Sequence, residues 1–176
     1  MASKSIGAAV RGSARFLTPD RGRLKAYKWE WANAKLMKGG AENKLSREAA
    51  KGLARLMVKV ALRRLAAKHN LTPEMVAKVR GTYKSRFTKE RRNKCWAGLN
   101  GTYFADWGWN PSTIAHEVAH WAHMMELEIT RSARKETAHG PEWLGWFALL
   151  ASDVNRVPLA DLSATVSAAG LRFVLP

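Results

Sequence analysis

His116, Glu117 and His120 fall within the stretch His116-Glu117-Val118-Ala119-His120. On a helix, residues i and i+4 lie one turn apart on the same face, so both imidazoles can reach a single Zn²⁺ with bonds of about 2.0–2.1 Å. Glu117, beside the first imidazole, can serve an attacking water as general base, which suits metal-assisted hydrolysis. The five residues alone are equally compatible with two helix histidines satisfied by their neighbours.

A catalytic zinc site needs a third protein ligand and an open position. His123 is poorly placed: it lies seven residues after His116, about 10 Å along the axis at about 1.5 Å per residue, too far for both to join His120 on one ion. His139 is better, because it lies across a loop, just before Pro141, and can fold back over the first helix. Glu142 and Glu136 are carboxylate alternatives. The single cysteine, Cys95, excludes an intrachain disulfide and a four-cysteine zinc site, and reads as a small buried apolar residue.

These residues need helices to carry them. Prolines mark helix starts, where a missing N–H is harmless. Thr18-Pro19-Asp20 opens a helix toward Gly39-Gly40, with Tyr27 and Trp31 on its packed face. Ser46 caps a second helix running to His69-Asn70, with apolar residues from Ala50 to Leu65 at three- and four-residue steps. Thr72-Pro73 starts a third, ending near Gly81. From Thr82 to Asp106 alternation predicts two or three strands of a small antiparallel sheet. Asn110-Pro111 caps the histidine helix, which runs to about Thr130, and residues 131–137 read as a polar loop. Pro141 begins a helix to about Val154, and Pro158 begins the last, ended by Gly170. The fold class predicted is α+β, a zincin-like core of small sheet, histidine helix and second site helix, preceded by a basic helical region. The expected divisions are a flexible basic arm at 1–17, a basic helical region at 18–71 and a core at 72–176.

Charge is distributed unevenly. Residues 1–94 carry 25 Lys+Arg against six Asp+Glu, whereas residues 95–176 carry five against eight. A net +19 half favours a polyanionic partner, nucleic acid above all. The candidate contacts are Arg47, Lys51, Arg55, Lys59, Arg63 and Arg64 on the second helix, with Lys84, Arg86, Arg91 and Arg92 near the strands. The longest apolar run, Trp143 to Ala151, is nine residues, short of the roughly 20 that span a bilayer. The stretch Ile6 to Val10 is too short for a secretory signal. A cytoplasmic or nucleoid-associated location is expected.

His116-Glu117-Val118-Ala119-His120-Trp121, followed after a loop by His139-Gly140-Pro141-Glu142-Trp143, resembles the SprT-like zinc metallopeptidases, relatives of Spartan. The upstream Trp96-Ala97-Gly98, Tyr103 to Asp106 and Asn110-Pro111 are similar to the strand region that leads into that family's zinc helix. The resemblance covers about residues 72–155. It implies one Zn²⁺ held by His116, His120 and His139, with Glu117 as catalytic base, and says nothing firm about Glu142. It further implies proteolysis of proteins crosslinked to or tightly bound on DNA. This chain has too few cysteines for the C-terminal zinc ribbon that family members often carry, so DNA contact falls to the basic half. Short stand-alone versions of this kind resemble those of phage genomes, which would place the protein in the host-cell cytoplasm or the virion.

Two other readings compete. One is a non-enzymatic DNA-binding or virion structural protein with a structural zinc; an intact Glu117 argues against it. The other is a virion-borne or secreted peptidase indifferent to DNA. For an endopeptidase, Thr102 to Asp106 is the expected edge strand for a protein substrate. Tyr83 and Tyr103 read as buried aromatics before oxyanion donors. Trp121, Trp143 and Trp146 are expected between the two site helices, Trp29 and Trp31 under the first helix, and Trp107 and Trp109 are candidates for base stacking.

Overall fold

Ser46 opens the longest helix. Its hydroxyl accepts a hydrogen bond from the Ala49 amide at 3.2 Å, and Asn70, in the left-handed region at φ 50°, closes it. The computed structural model describes residues 17–18, 22–89, 94–132 and 136–176. The order is β1 (Leu17–Thr18), α1 (Arg23–Ala32), α2 (Arg47–His69), α3 (Pro73–Thr82), β2 (Lys84–Phe87), β3 (Trp96–Gly98), β4 (Gly101–Phe104), α4 (Pro111–Ile129), β5 (Glu136–Thr137), α5 (Pro141–Asp153) and α6 (Leu159–Ala168). The expected arm lies outside the described residues except for Leu17.

Burial follows the helical period. Along α2, Ala50, Ala54, Met57, Ala61 and Leu65 are buried while Arg55, Lys59, Arg63 and Arg64 are exposed. The buried face lies on α4, which in turn packs on α5. From Trp143 to Ala151 every residue of α5 is buried, and α4 lies between it, α2 and the sheet. Trp143 and Trp146 are fully buried against α4, as expected, whereas Trp121, equally buried, turns to the sheet side, where its Nε1 donates to Leu99 O at 3.2 Å. Ala26 and Trp29 of α1 join the same core, Trp29 meeting Phe147 edge-on at 5.9 Å.

Helix α1 departs from expectation. It ends at Ala32, where the Asn33 side chain donates to Trp29 O at 2.9 Å, and short turns replace the predicted run to Gly39-Gly40. Trp31 is 80% exposed instead of packed. It lies two residues from the buried Trp29, about 200° around the helix, so both cannot face the core.

The sheet is mixed. Its order is β2-β4-β3, with β3 and β4 antiparallel across the Leu99-Asn100 turn and β2 parallel to β4. The antiparallel expectation took successive strands as neighbours, whereas the β3–β4 hairpin turns its second strand inward against β2. Gly101, at φ 142°, permits this: a Cβ there would collide with Lys84 O. A separate parallel pair joins β1 to β5, within the predicted polar loop. Among the described residues, no helix is long and apolar enough to cross a membrane.

Candidate metal centre

The Asn110 side chain accepts a hydrogen bond from the Thr113 amide at 3.0 Å, and Pro111 occupies the first turn, so α4 begins at a fixed point. His116 and His120 follow on one face. His139 arrives from a tight turn, in which Gly140 N donates to Thr137 O at 3.1 Å, immediately before α5. A Cβ at Gly140 would meet Thr137 Oγ1, so a larger residue there would have to displace the Thr137 side chain. The two elements bring three Nε2 atoms together: His120 to His116 at 3.2 Å, His120 to His139 at 3.1 Å and His139 to His116 at 3.4 Å. They form a cluster that could hold a metal ion.

Hydrogen bonding alone does not account for this cluster. Each Nε2 has one in-plane position, occupied either by a proton or by a lone pair. Three such positions facing one another cannot all be matched as donor and acceptor. A cation at their centre removes the conflict. Four ligands at about 2.0–2.1 Å in a tetrahedron stand about 3.3 Å apart, the separation the three nitrogens already have. The donor set therefore fits zinc. Among the described residues three ligands converge, and no family model, curated protein or solved structure matches the chain.

Glu30 of α1, which the sequence reading missed, completes the surroundings. Its Oε2 accepts a hydrogen bond from His116 Nδ1 at 2.9 Å, and its Oε1 accepts one from Ser112 Oγ at 3.1 Å. With its proton on Nδ1, His116 presents the Nε2 lone pair inward, the usual role of a carboxylate behind a metal-bound histidine. Burial raises the Glu30 pKa, but His116 and Ser112 more than offset this and hold it below the ordinary value. Burial works against charge on His116, and Glu30 outweighs it, raising the His116 pKa. Burial, with His116, His139 and His123 nearby, pushes His120 well below its ordinary value, which favours its neutral form. Tyr27 adds a ring 4.9 Å from His139 and 5.7 Å from His116. One signal was available: Glu30 is one of six acids in the first 94 residues, set among aromatics.

Glu117 is buried beside His116. Burial pushes its pKa up to about 7, with His116 opposing and Glu30 adding to the rise. Its charge reaches half-buried Cys95, whose thiol is pushed up to about 12 chiefly by burial. Cys95 immediately precedes β3, so the end of β3 lies near Glu117. Residues 101–104 form β4, paired on both sides, so the Thr102 to Asp106 stretch is not the edge it was expected to be. The antiparallel edge is β3.

His123 is buried on α4, outside the ligand cluster. Glu142, in the first turn of α5, is not within that cluster; Glu136 is in β5, and its side chain lies outside the described residues. Tyr83 is an internal group: its hydroxyl is 2.6 Å from Thr102 Oγ1 and its ring meets Trp121 edge-on at 4.9 Å. Trp109 is buried, its carbonyl accepting from Leu45 N at 2.7 Å, and so cannot stack bases; Trp107 is exposed. Of the basic candidates, Lys51 pairs with Glu48 and Arg64 with Asp153, while Arg47 donates to Phe87 O at 3.0 Å. Arg55, Lys59, Arg63, Lys84 and Arg86 are exposed; Arg91 and Arg92 lie outside the described residues.

Proposed function

We propose that this protein is a zinc-dependent endopeptidase of the SprT-like type, acting on DNA-bound or DNA-crosslinked proteins, with DNA contacted by its basic N-terminal half. The observation that carries the reading is the convergence of three histidine Nε2 atoms on one point, with a buried glutamate next to the first of them. His116, His120 and His139 would hold the ion, and Glu30 would fix His116 in the tautomer that binds it. Zinc, when bound, supplies Lewis acidity to a peptide carbonyl and acidifies water.

Glu117 performs the proton chemistry. A buried carboxylate beside the ion can accept a proton from water as it attacks, and return it to the departing amine nitrogen. Trp96–Gly98 presents an edge with no strand partner among the described residues on the side away from β4, so an extended peptide can pair with it as a further strand. Three protein ligands are the number used by catalytic zinc sites, whereas structural sites close the fourth position.

The test compares wild type with Glu117→Gln on a DNA-binding protein, with and without DNA, while zinc content is measured in parallel. Wild type should cleave, more with DNA. Glu117→Gln should keep zinc and lose hydrolysis by 10²-fold or more. Equal cleavage by both forms would remove Glu117 from the chemistry. Zinc and DNA binding without cleavage by either would favour a structural protein, and cleavage indifferent to DNA would favour the virion-borne or secreted peptidase.

A further inference from the structure

We propose that the outer face of the three-stranded sheet is a single-stranded DNA site, where bases stack on Trp96 beside Tyr103 and phosphates meet Lys84 and Arg86. Strand register builds it. Arg86 pairs with Tyr103 and Tyr103 with Trp96, so the three side chains form one row across β2, β4 and β3. Alternation turns Phe87, Phe104 and Thr102 to the opposite, helix-packed face, where all three are buried.

Two aromatic pairs thus occupy opposite faces in different ways. Phe87 and Phe104 stack at 4.7 Å inside the core. Trp96 and Tyr103 lie parallel at 5.9 Å and 5° on the outside, with Trp96 55% exposed. The adjacent row is Lys84, Gly101 and Gly98, two of which have no side chain. The result is a recess of about 380 Å³ with a glycine floor, an aromatic wall and two cations at its far edge. Its size falls in the range of small-molecule pockets, about 300–1,000 Å³.

The chemistry of the recess selects its occupant. Its lining has no acidic residue, and among the described residues neither Lys84 nor Arg86 forms an ion pair. A flat apolar wall next to cations suits a ligand with flat faces and a negative backbone. In a duplex those faces are stacked on one another; in a single strand they are available. Arg47, exposed at the start of α2, donates to Phe87 O and so stands at the end of β2, a third cation next to this strand. The choice of DNA over RNA rests on the function proposed above. The site lies on the face beside the β3 edge, so bound DNA would hold an attached protein close to the strand proposed to take substrate.

The test uses the full chain, a fluorescein-labelled oligothymidylate, an oligouridylate of equal length and a DNA duplex, read by anisotropy over a salt series. Trp96→Ala should weaken oligothymidylate binding about tenfold or more, and Trp96→Phe should retain most of it. A Lys84→Gln/Arg86→Gln double variant should flatten the salt dependence. Melting temperature and zinc content should be unchanged in Trp96→Ala, because the side chain is half exposed. If Trp96→Ala binds like wild type, or duplex or RNA binds more tightly than oligothymidylate, this site is wrong while zinc-dependent peptidase activity stands. If wild type binds no oligonucleotide, the site and the DNA half of the proposed function fall together.

Discussion

Glu30 and His116 are 86 residues apart in sequence and 2.9 Å apart in space, joined by a hydrogen bond between carboxylate and Nδ1. Because the same carboxylate also accepts from Ser112, its orientation is set from two sides. Such a partner fixes the ligand's tautomer and raises its basicity. Glu30→Gln should lower zinc affinity about 10–100-fold with little change in secondary structure. Competition with a chromogenic chelator measures it. Wild-type affinity in this variant would show that Glu30 does not tune the metal.

Metal removal should be visible as lost stability. The three histidines lie on α4 and the turn before α5, so an ion bound by them only in the folded state would link the two helices. At free zinc about 100-fold above its dissociation constant, linkage gives about 2.7 kcal/mol. For a chain of this size that corresponds to a melting temperature higher by about 5–10 °C. A chelator should reverse the gain. His139→Ala should abolish it, and a zinc response surviving that substitution would mean the ion is held elsewhere.

The His116–His120 spacing specified one side of the centre because helical geometry is local, and Gly140-Pro141 marked the turn that delivers the third histidine. Glu30 was hidden because its partnership depends on how α1 lies across α4, which no local pattern records. Strand order was unreadable for the same reason: alternation in Tyr83 to Phe87 identifies a strand and its faces but not its neighbour. Trp31 and Trp109 exchanged roles with the structure's own choices, one outside and the other buried. An aromatic residue has the same appearance in sequence whether it packs or waits for a ligand. Trp96 was read only as part of a family pattern, and its exposure emerged from the pleat.

Two buried tryptophans on α5 should respond differently to the same change. Trp146 Nε1 donates to Glu126 Oε2 at 2.9 Å, whereas Trp143 Nε1 has no partner among the described residues. Replacing either by Phe leaves a cavity, but only Trp146→Phe removes a hydrogen bond to a carboxylate. Such bonds contribute about 1.5–3 kcal/mol, so Trp146→Phe should be the more destabilising by roughly that amount. Urea denaturation of both variants decides it, and equal midpoints would show that the indole–carboxylate bond contributes nothing.

Glu126 should govern the acid limit of stability. It receives Lys68 at 2.7 Å and His69 at 3.0 Å from α2 and the Trp146 indole from α5, so one carboxylate ties three helices. Burial raises its pKa, and these hydrogen bonds overcome that and hold it below the ordinary value near 4.5. A carboxyl more acidic when folded contributes stability that is fully present above its unfolded pKa and lost as pH falls through the folded one. Glu126→Gln should therefore cost about 1–3 kcal/mol near neutral pH. The gap from wild type should narrow as pH falls from the ordinary glutamate value near 4.5 through the lower folded one. Denaturation midpoints of a metal-free pair measured from pH 7 to pH 3 would test it, and a constant gap across that range would remove Glu126 as the acid-sensitive tie.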